Sequence, residues 1–253
     1  MTGEIRLRPI TSAPLEVECV QPESFAQLGT QEIASLPVWI GRDVGQLGDF
    51  FAVTGERSTR VRIEGDASHL DALGAAMTGG TLIIEGNAGR ALGRAMRGGQ
   101  IHVKGNAGDL VGAPISGASR GMLGGEIVIN GSAGADAGAY ARRGLVVIRG
   151  NAGPGAARGM IAGTVVVCGD AASEAGVWNK RGTLLVMGTV DVGVTYRYAC
   201  TYRPPIVPLI LRSVGKRFGL PVNDRWITGV YRRFSGDLAE LGKGEILQWT
   251  ASA

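Results

Sequence analysis

Seven short apolar runs recur along the middle of the chain, and a glycine closes each of them. The closing glycines lie 21, 19, 26, 19, 19 and 19 residues apart. A repeat near this length is typical of solenoids, in which each repeat buries its apolar face only against its neighbours. Runs this short and rich in Val and Ile predict strands. They are VRIEG (61–65), LIIEG (82–86), IHVKG (101–105), IVING (127–131), VVIRG (146–150), VVVCG (165–169) and LLVMG (184–188).

The first and third positions of every run are aliphatic, whereas the positions between them include Arg62, Glu85 and Lys104. Successive side chains of a strand point to opposite faces, so the aliphatic positions should form the core. The predicted core is Val61, Ile63, Leu82, Ile84, Ile101, Val103, Ile127, Ile129, Val146, Ile148, Val165, Val167, Leu184 and Val186. Four methionines at one further repeat position, Met77, Met96, Met122 and Met160, are expected to pack there too.

These patterns predict an all-β chain: a right-handed parallel β-helix, or solenoid, of about seven coils, with an irregular N-terminal cap and a mixed C-terminal tail. The predicted divisions are a cap at 1–52, the glycine-rich β-helix at 53–195 and an aromatic, basic extension at 196–253. Glycine, with 42 of 253 residues, supplies the corners where positive φ or close stacking is needed.

The outward positions of the later runs become apolar, and such a strip should be covered by this chain's own tail or by another subunit. Its residues are interface candidates: Val128, Val147, Val166 and Leu185. The 26-residue interval contains an insertion carrying Pro114 and Arg120. An insertion in one coil projects from the solenoid. It is either a docking loop or a neutral surface variation.

The tail, residues 196–253, holds eight of the 14 aromatic residues and nine Lys and Arg against four acids. Aromatic residues mixed with arginine are typical of protein interfaces. The further interface candidates are Tyr202, Arg203, Arg212, Trp226, Arg232 and Arg233. Nucleic-acid binding is a less favoured alternative, because no known nucleic-acid motif accompanies the basic residues.

The sequence assembles no recognisable catalytic or metal site. Its two histidines, His69 and His102, are not at equivalent repeat positions, and its three cysteines form no Cys-x-x-Cys pair. The Gly-Asn-Ala-Gly segments match neither phosphate-binding fingerprint. The prediction is no catalytic residue, no metal and no cofactor held by this chain alone. The longest apolar run is too short to span a bilayer and the start lacks a secretory signal, so we expect a cytoplasmic protein that binds no membrane.

The segments IEGNAGRALGRAMRGG and VIRGNAGPGAARGMIAGTVVV resemble the β-helix domain at the C-terminal end of the glutamate synthase large subunit. They resemble more closely the C subunit of formylmethanofuran dehydrogenase and of the bacterial formyltransferase/hydrolase complex. Three features favour the latter family: EGDAS followed by AAMTGG, the insertion ending SRGMLGGEIVI, and RRFSGDLAELGKGEI at 232–246. The resemblance covers residues from about 45 to 246.

The resemblance implies a non-catalytic scaffold subunit in one-carbon metabolism, within a hetero-oligomer. In the bacterial complex, formyl-tetrahydromethanopterin is converted to formate through a formylmethanofuran-type intermediate. The implied partners are an amidohydrolase-like subunit, a formyltransferase subunit and a further subunit, and a methanofuran-type cofactor and zinc are expected in those partners. The Ala, Gly and Arg content favours this hydrolytic complex.

Two other functions remain open at this point. One is that of the C subunit in a molybdenum or tungsten formylmethanofuran dehydrogenase. The other, from a different class, is an autonomous β-helical enzyme acting on carbohydrate, which should turn over substrate without any partner.

Overall fold

The computed structural model describes residues 3–219 and 221–251. Twelve strands form one mixed sheet in the order β14-β15-β16-β13-β12-β11-β10-β9-β8-β6-β1-β5, and four form a second sheet in the order β4-β3-β2-β7. The strands are β1 (Ile5–Pro9), β2 (Leu15–Glu16), β3 (Pro37–Ile40), β4 (Asp43–Gln46), β5 (Phe51–Gly55), β6 (Arg60–Ile63), β7 (Leu70–Asp71), β8 (Thr81–Ile84), β9 (Gln100–Val103), β10 (Glu126–Ile129), β11 (Leu145–Ile148), β12 (Thr164–Val167), β13 (Thr183–Val186), β14 (Arg197–Tyr202), β15 (Val230–Gly236) and β16 (Gly244–Thr250).

Helices are few and mostly short. They are α1 (Pro22–Phe25), α2 (Thr30–Ala34), α3 (Leu47–Phe50), α4 (Ile206–Phe218) and α5 (Asp224–Thr228). The prediction of a mostly β chain is therefore confirmed.

The seven predicted strands lie side by side, parallel and in one register. Ile101 pairs with Leu82 on one side and with Ile127 on the other, and the same inward positions pair along the whole stack. All fourteen predicted core side chains are at most 1% exposed, and the four methionines of the predicted column are fully buried. The core prediction is confirmed.

A second column of parallel pairing runs through the Gly-Asn-Ala-Gly segments. The alanine of each segment bridges to the alanine of the next repeat, from Ala67 to Ala171. The asparagine side chain joins neighbouring repeats: Asn87 Oδ1 accepts a hydrogen bond from the Asn106 amide at 2.9 Å, and Asn106 Oδ1 accepts one from the Ser132 amide at 2.8 Å. These segments therefore join one repeat to the next.

The stack extends beyond the seven predicted strands at both ends. At one end β1 pairs parallel with β6, so that Ile5 and Leu7 continue the core column of Val61 and Ile63. At the other end β16 pairs parallel with β13 and places Ile246 beside Leu184. The sequence pattern had placed β1 in an irregular cap and β16 in a mixed tail, and both strands instead continue the parallel sheet.

Antiparallel strands then finish the large sheet. β5 pairs with β1, whereas β15 pairs with β16 and β14 pairs with β15. Three strands of the second sheet and α1 to α3 lie in the N-terminal segment, and β7 joins that sheet from the first repeat. Phe25, Ile33 and Leu47 of this segment join the same buried core.

Substitution of Gly86 tests how closely the backbones of adjacent repeats approach. A Cβ at this position would lie 2.5 Å from Gly65 O and 2.8 Å from Asp66 Cα, both backbone atoms of the preceding repeat. Gly86→Ala should therefore lower the free energy of unfolding by about 1–3 kcal/mol, as overpacking does elsewhere. Gly79→Ala is the control, because no atom lies within 4 Å of its Cβ position. Denaturant unfolding of both variants measures the effect, and equal stabilities would contradict the account of tight stacking.

Candidate interface

The four strip residues, Val128, Val147, Val166 and Leu185, are 0–2% exposed. They form one buried cluster with Val207, Leu211 and Val214 of α4, together with Tyr231 and Leu247. The prediction that these four residues contact another subunit is wrong for this structure, because α4 of the same chain covers them. The prediction that another segment must cover the apolar strip is confirmed, and the covering segment is the C-terminal tail of the same chain.

The amino-acid pattern of α4 explains how it covers the strip. Val207, Leu211 and Val214 follow the spacing of one helix face, and all three are buried. The helix ends at Gly219, whose φ of +65° is the left-handed conformation favoured at a C-terminus. Arg212 lies on the exposed face of this helix.

The C-terminal end of α4 is fastened to the sheet by two side chains. Arg217 forms an ion pair with Glu126 of β10, and the Phe218 ring meets the His102 ring edge-on at a centroid distance of 5.4 Å. His102 is 7% exposed and its Nε2 lies 3.1 Å from Asn130 Oδ1. Burial lowers the pKa of His102, and the nearby Lys104 lowers it further.

Of the other interface candidates in the tail, some pack inside the chain and others lie at its surface. Trp226 and Tyr202 are half-buried against the cluster beneath α4. Arg203 is exposed and lines a cleft of about 430 Å³ with Arg225 and Trp249. This cleft is the basic and aromatic surface of the tail that the structure leaves accessible.

Arg232 and Arg233 are neighbours in β15 with different roles. Arg232 is exposed and its guanidinium lies over the Phe234 ring, 5.1 Å from the centroid. Arg233 is half-buried and its Nε lies 2.9 Å from Glu245 Oε2 of β16. Arg232 is therefore available to a partner, whereas Arg233 holds two strands of the sheet together.

The insertion lies at the surface, with Pro114 half-buried and Arg120 exposed. Its neighbours include two residues that the sequence pattern did not single out, Tyr140 and Trp178. They lie 38 residues apart at the same position of alternate repeats, and this spacing could have identified them. Trp178 is 46% exposed.

Two of the three cysteines are held in an unreactive state. Burial raises the pKa of the Cys168 thiol to about 11 and that of Cys19 to about 12, so both stay protonated near neutral pH. Within residues 3–219 and 221–251, no group of three or more His, Cys, Asp or Glu side chains is arranged to hold a metal ion.

None of the helices in the described part of the chain is long and apolar enough to cross a membrane.

Curated proteins with similar sequences match only part of the chain. No family model matches it. Over 80 residues it is 40% identical to the C subunit of the molybdenum-containing formylmethanofuran dehydrogenase 1 of Methanosarcina barkeri, and over 79 residues it is 35% identical to the C subunit of the tungsten-containing formylmethanofuran dehydrogenase 2 of Methanothermobacter wolfeii. These matches cover about 30% of this chain and only 27% and 29% of those proteins.

A solved structure matches over almost the whole length. It is a chain of the formyltransferase/hydrolase complex of Methylorubrum extorquens, crystallised with methylofuran. The TM-score is 0.78 at 31% sequence identity, and the match covers 97% of this chain and 98% of the other. The fold is thus that of a component of a larger assembly. The chain belongs to the C-subunit family of formyltransferase/hydrolase complexes and formylmethanofuran dehydrogenases.

Val166→Asp tests whether α4 is a fixed cover. The substitution buries an unpaired carboxylate beneath the helix, and we expect a loss of about 3 kcal/mol or more in the free energy of unfolding. The matched control is Val44→Asp, because Val44 is 54% exposed and should tolerate the charge. Denaturant unfolding and the rate of proteolysis within 203–229 are the measurements. If the two variants are equally stable, α4 does not seal the strip.

The histidine beneath Phe218 predicts a pH dependence. The pKa of His102 is lower in the folded chain than in the unfolded chain. As the pH falls below the usual histidine pKa, the unfolded chain binds a proton more readily than the folded chain, and the folded state loses stability. The melting temperature should fall between pH 7.5 and pH 5, and His102→Gln should reduce that fall. His69→Gln is the control, because His69 is the only other histidine and lies in the first repeat. Equal slopes for the wild type and His102→Gln would contradict this assignment.

Proposed function

We propose that this chain is a non-catalytic scaffold subunit of a formyltransferase/hydrolase complex. That complex converts formyl-tetrahydromethanopterin to formate through a formylmethanofuran-type intermediate. The observation that carries the proposal is the match over 97% of this chain and 98% of a chain of the Methylorubrum extorquens complex. The partners are an amidohydrolase-like subunit, a formyltransferase subunit and a further subunit, and the methanofuran-type cofactor and zinc are bound by them.

The architecture proposed for the scaffold is a right-handed parallel β-helix at 53–195, between an N-terminal cap at 1–52 and a C-terminal extension at 196–253. Two columns of parallel pairing support it, one along the strands and one along the alanines of the Gly-Asn-Ala-Gly segments. Two such columns, repeated at intervals of 19 to 26 residues, are what stacked coils produce.

The placement of the potentially reactive groups supports the scaffold role. His102 is buried beneath the chain's own helix, Cys19 and Cys168 have raised pKa values, and the core columns are aliphatic. An enzyme acting alone needs a nucleophile or base in a cleft, with a pKa matched to its task. The autonomous carbohydrate enzyme is the weaker proposal, because the match over 97% of this chain is to a chain of a multi-subunit complex.

The C subunit of a molybdenum or tungsten formylmethanofuran dehydrogenase remains the second candidate. Identity of 40% over 80 residues favours it. The extent of the match to the hydrolase complex favours the first candidate, because it includes both ends of the chain as well as the repeats.

The exposed arginines of the tail are candidates for contacts with partners. Arg203, Arg212 and Arg232 remain accessible after α4 has covered the strip, and Arg120 with the half-buried Pro114 offers a second surface. The tail arginines also give that end of the chain a positive field, which would attract an anionic cofactor arm.

Affinity purification of the chain from its native cell, followed by native mass spectrometry, tests the proposal. We expect a stoichiometric complex with a formyltransferase and an amidohydrolase-like subunit, and formyl transfer only from the complex. Copurification with a molybdopterin- or tungstopterin-containing subunit would favour the dehydrogenase. Turnover of a polysaccharide by the isolated chain would replace the scaffold proposal with the enzyme.

A further inference from the structure

One repeat position carries aromatic side chains in an unfavourable backbone conformation. At this position the residues are Ala76, Ala95, Tyr140, Gly159 and Trp178, and their φ angles lie between +52° and +62°. Alanine and glycine accommodate the left-handed conformation with less strain than bulky side chains, for which it is an outlier. The two aromatic residues gain little core burial in return, because Trp178 is 46% exposed and Tyr140 is only half-buried.

The two aromatic residues border a groove across three adjacent repeats. Gly159 lies between them in the stack, and a Cβ on Gly159 would lie 2.5 Å from Tyr140 Cε1, so the tyrosine ring leans over the glycine. Ser119 of the insertion, Ile161, Lys180 and Glu240 complete the lining, and the groove encloses about 300 Å³. We call this cleft the aromatic groove.

Trp178 is held in place from two directions. Its amide donates a hydrogen bond of 2.9 Å to Oδ2 of Asp237, a residue that is 1% exposed. On the ring, the Arg158 guanidinium lies 5.8 Å from the centroid. Arg158 is itself bonded to Asp136 and Glu174. An exposed indole fixed in this way keeps its ring ordered before any partner arrives, which lowers the entropic cost of binding.

Several exposed arginines lie within three residues of Ser119, Tyr140 or Trp178 in the sequence. Arg120, Arg142, Arg143 and Arg181 are exposed, and none of them forms an ion pair with another residue of 3–219 or 221–251. Arg143 and Arg181 occupy equivalent positions of alternate repeats, three residues after Tyr140 and Trp178. The acids nearby are engaged: Asp136 and Glu174 bond Arg158, and Glu240 lies 3.6 Å from Lys180.

We infer that the aromatic groove binds an acidic segment of a partner subunit, which inserts one apolar side chain between Tyr140 and Trp178. A cleft of about 300 Å³ is at the lower limit for small-molecule sites and suits a single anchoring side chain. Trp, Tyr and Arg are the residue types enriched at interface hot spots. The unpaired arginines supply the charge complementarity that steers an acidic segment to the anchor. The inference rests on the proposed function, since it needs a partner subunit.

The experiment measures the affinity of variant chains for the remaining subunits of the complex, assembled without this chain. Trp178→Ala and Tyr140→Ala should each weaken binding at least tenfold, and the fold should persist because alanine occupies the same position at 76 and 95. Trp39→Ala is the matched control, since Trp39 is 44% exposed in the N-terminal segment. It should bind as the wild type does.

The charge contribution is measured separately. Arg142→Glu with Arg143→Glu should reduce the association rate at least tenfold at low salt and less at high salt. Arg42→Glu with Arg57→Glu, two exposed arginines in the N-terminal segment, is the control. Loss of binding in the charge variant with full binding in both aromatic variants would overturn the inference, because the exposed arginines and not the aromatic groove would then carry the docking.

Two further outcomes separate this inference from the proposed function. If the wild-type chain assembles with the subunits and Trp178→Ala and Tyr140→Ala assemble equally well, the aromatic groove is not the docking site, although the proposed function stands. If the wild-type chain does not assemble with those subunits at all, both proposals are overturned.

Discussion

The structure depends on the close approach of backbone segments in successive repeats. The amide of the glycine that closes each of the last five runs donates to the carbonyl of the closing glycine one repeat earlier, as in the 3.0 Å bond from Gly105 to Gly86. At six of the seven closing glycines, all except Gly65, an added Cβ would lie within 3.0 Å of backbone atoms of the preceding repeat, so these positions require glycine. The asparagine of each Gly-Asn-Ala-Gly segment then bonds the next repeat through its side chain. The high glycine content is therefore a requirement of stacking.

The same constraint decides what the sequence could reveal. The closing glycines align the repeats with one another, so equivalent positions can be compared along the sequence. All fourteen core residues and the methionine column could be identified from this spacing. β1 and β16 were not identified as part of the stack because they pair at long and irregular sequence separation. Ile246 lies 62 residues beyond Leu184, with α4, α5 and the antiparallel strands β14 and β15 between them. A search for periodicity finds only strands that recur at similar intervals along the chain. β1 and β16 do not recur in this way, and only the folded chain brings them beside the stack.

The covering of the outward strip shows a different limit of sequence reasoning. An apolar column on the outer face of a sheet requires a cover, but the requirement is equally well met by the chain's own helix and by a partner. In this structure the cover is α4, whose apolar face packs against the strip. Arg217 and Phe218 hold the end of the helix against β10 and β9. The aromatic groove was missed although Tyr140 and Trp178 lie 38 residues apart at the same repeat position. Their left-handed conformation is visible only in the structure.

The sequence match to the dehydrogenase proteins covers 78–80 residues, about 30% of the chain, and the structural match to a chain of the hydrolase complex covers 97% of it. Stacking restricts a repeat to glycine, small residues and inward aliphatics, so repeats in different complexes must remain alike. Residues 115–120 of the insertion and corner side chains such as Trp178 are exposed and carry no such restriction. These are the parts of the chain in which a shared fold can be adapted to different neighbours.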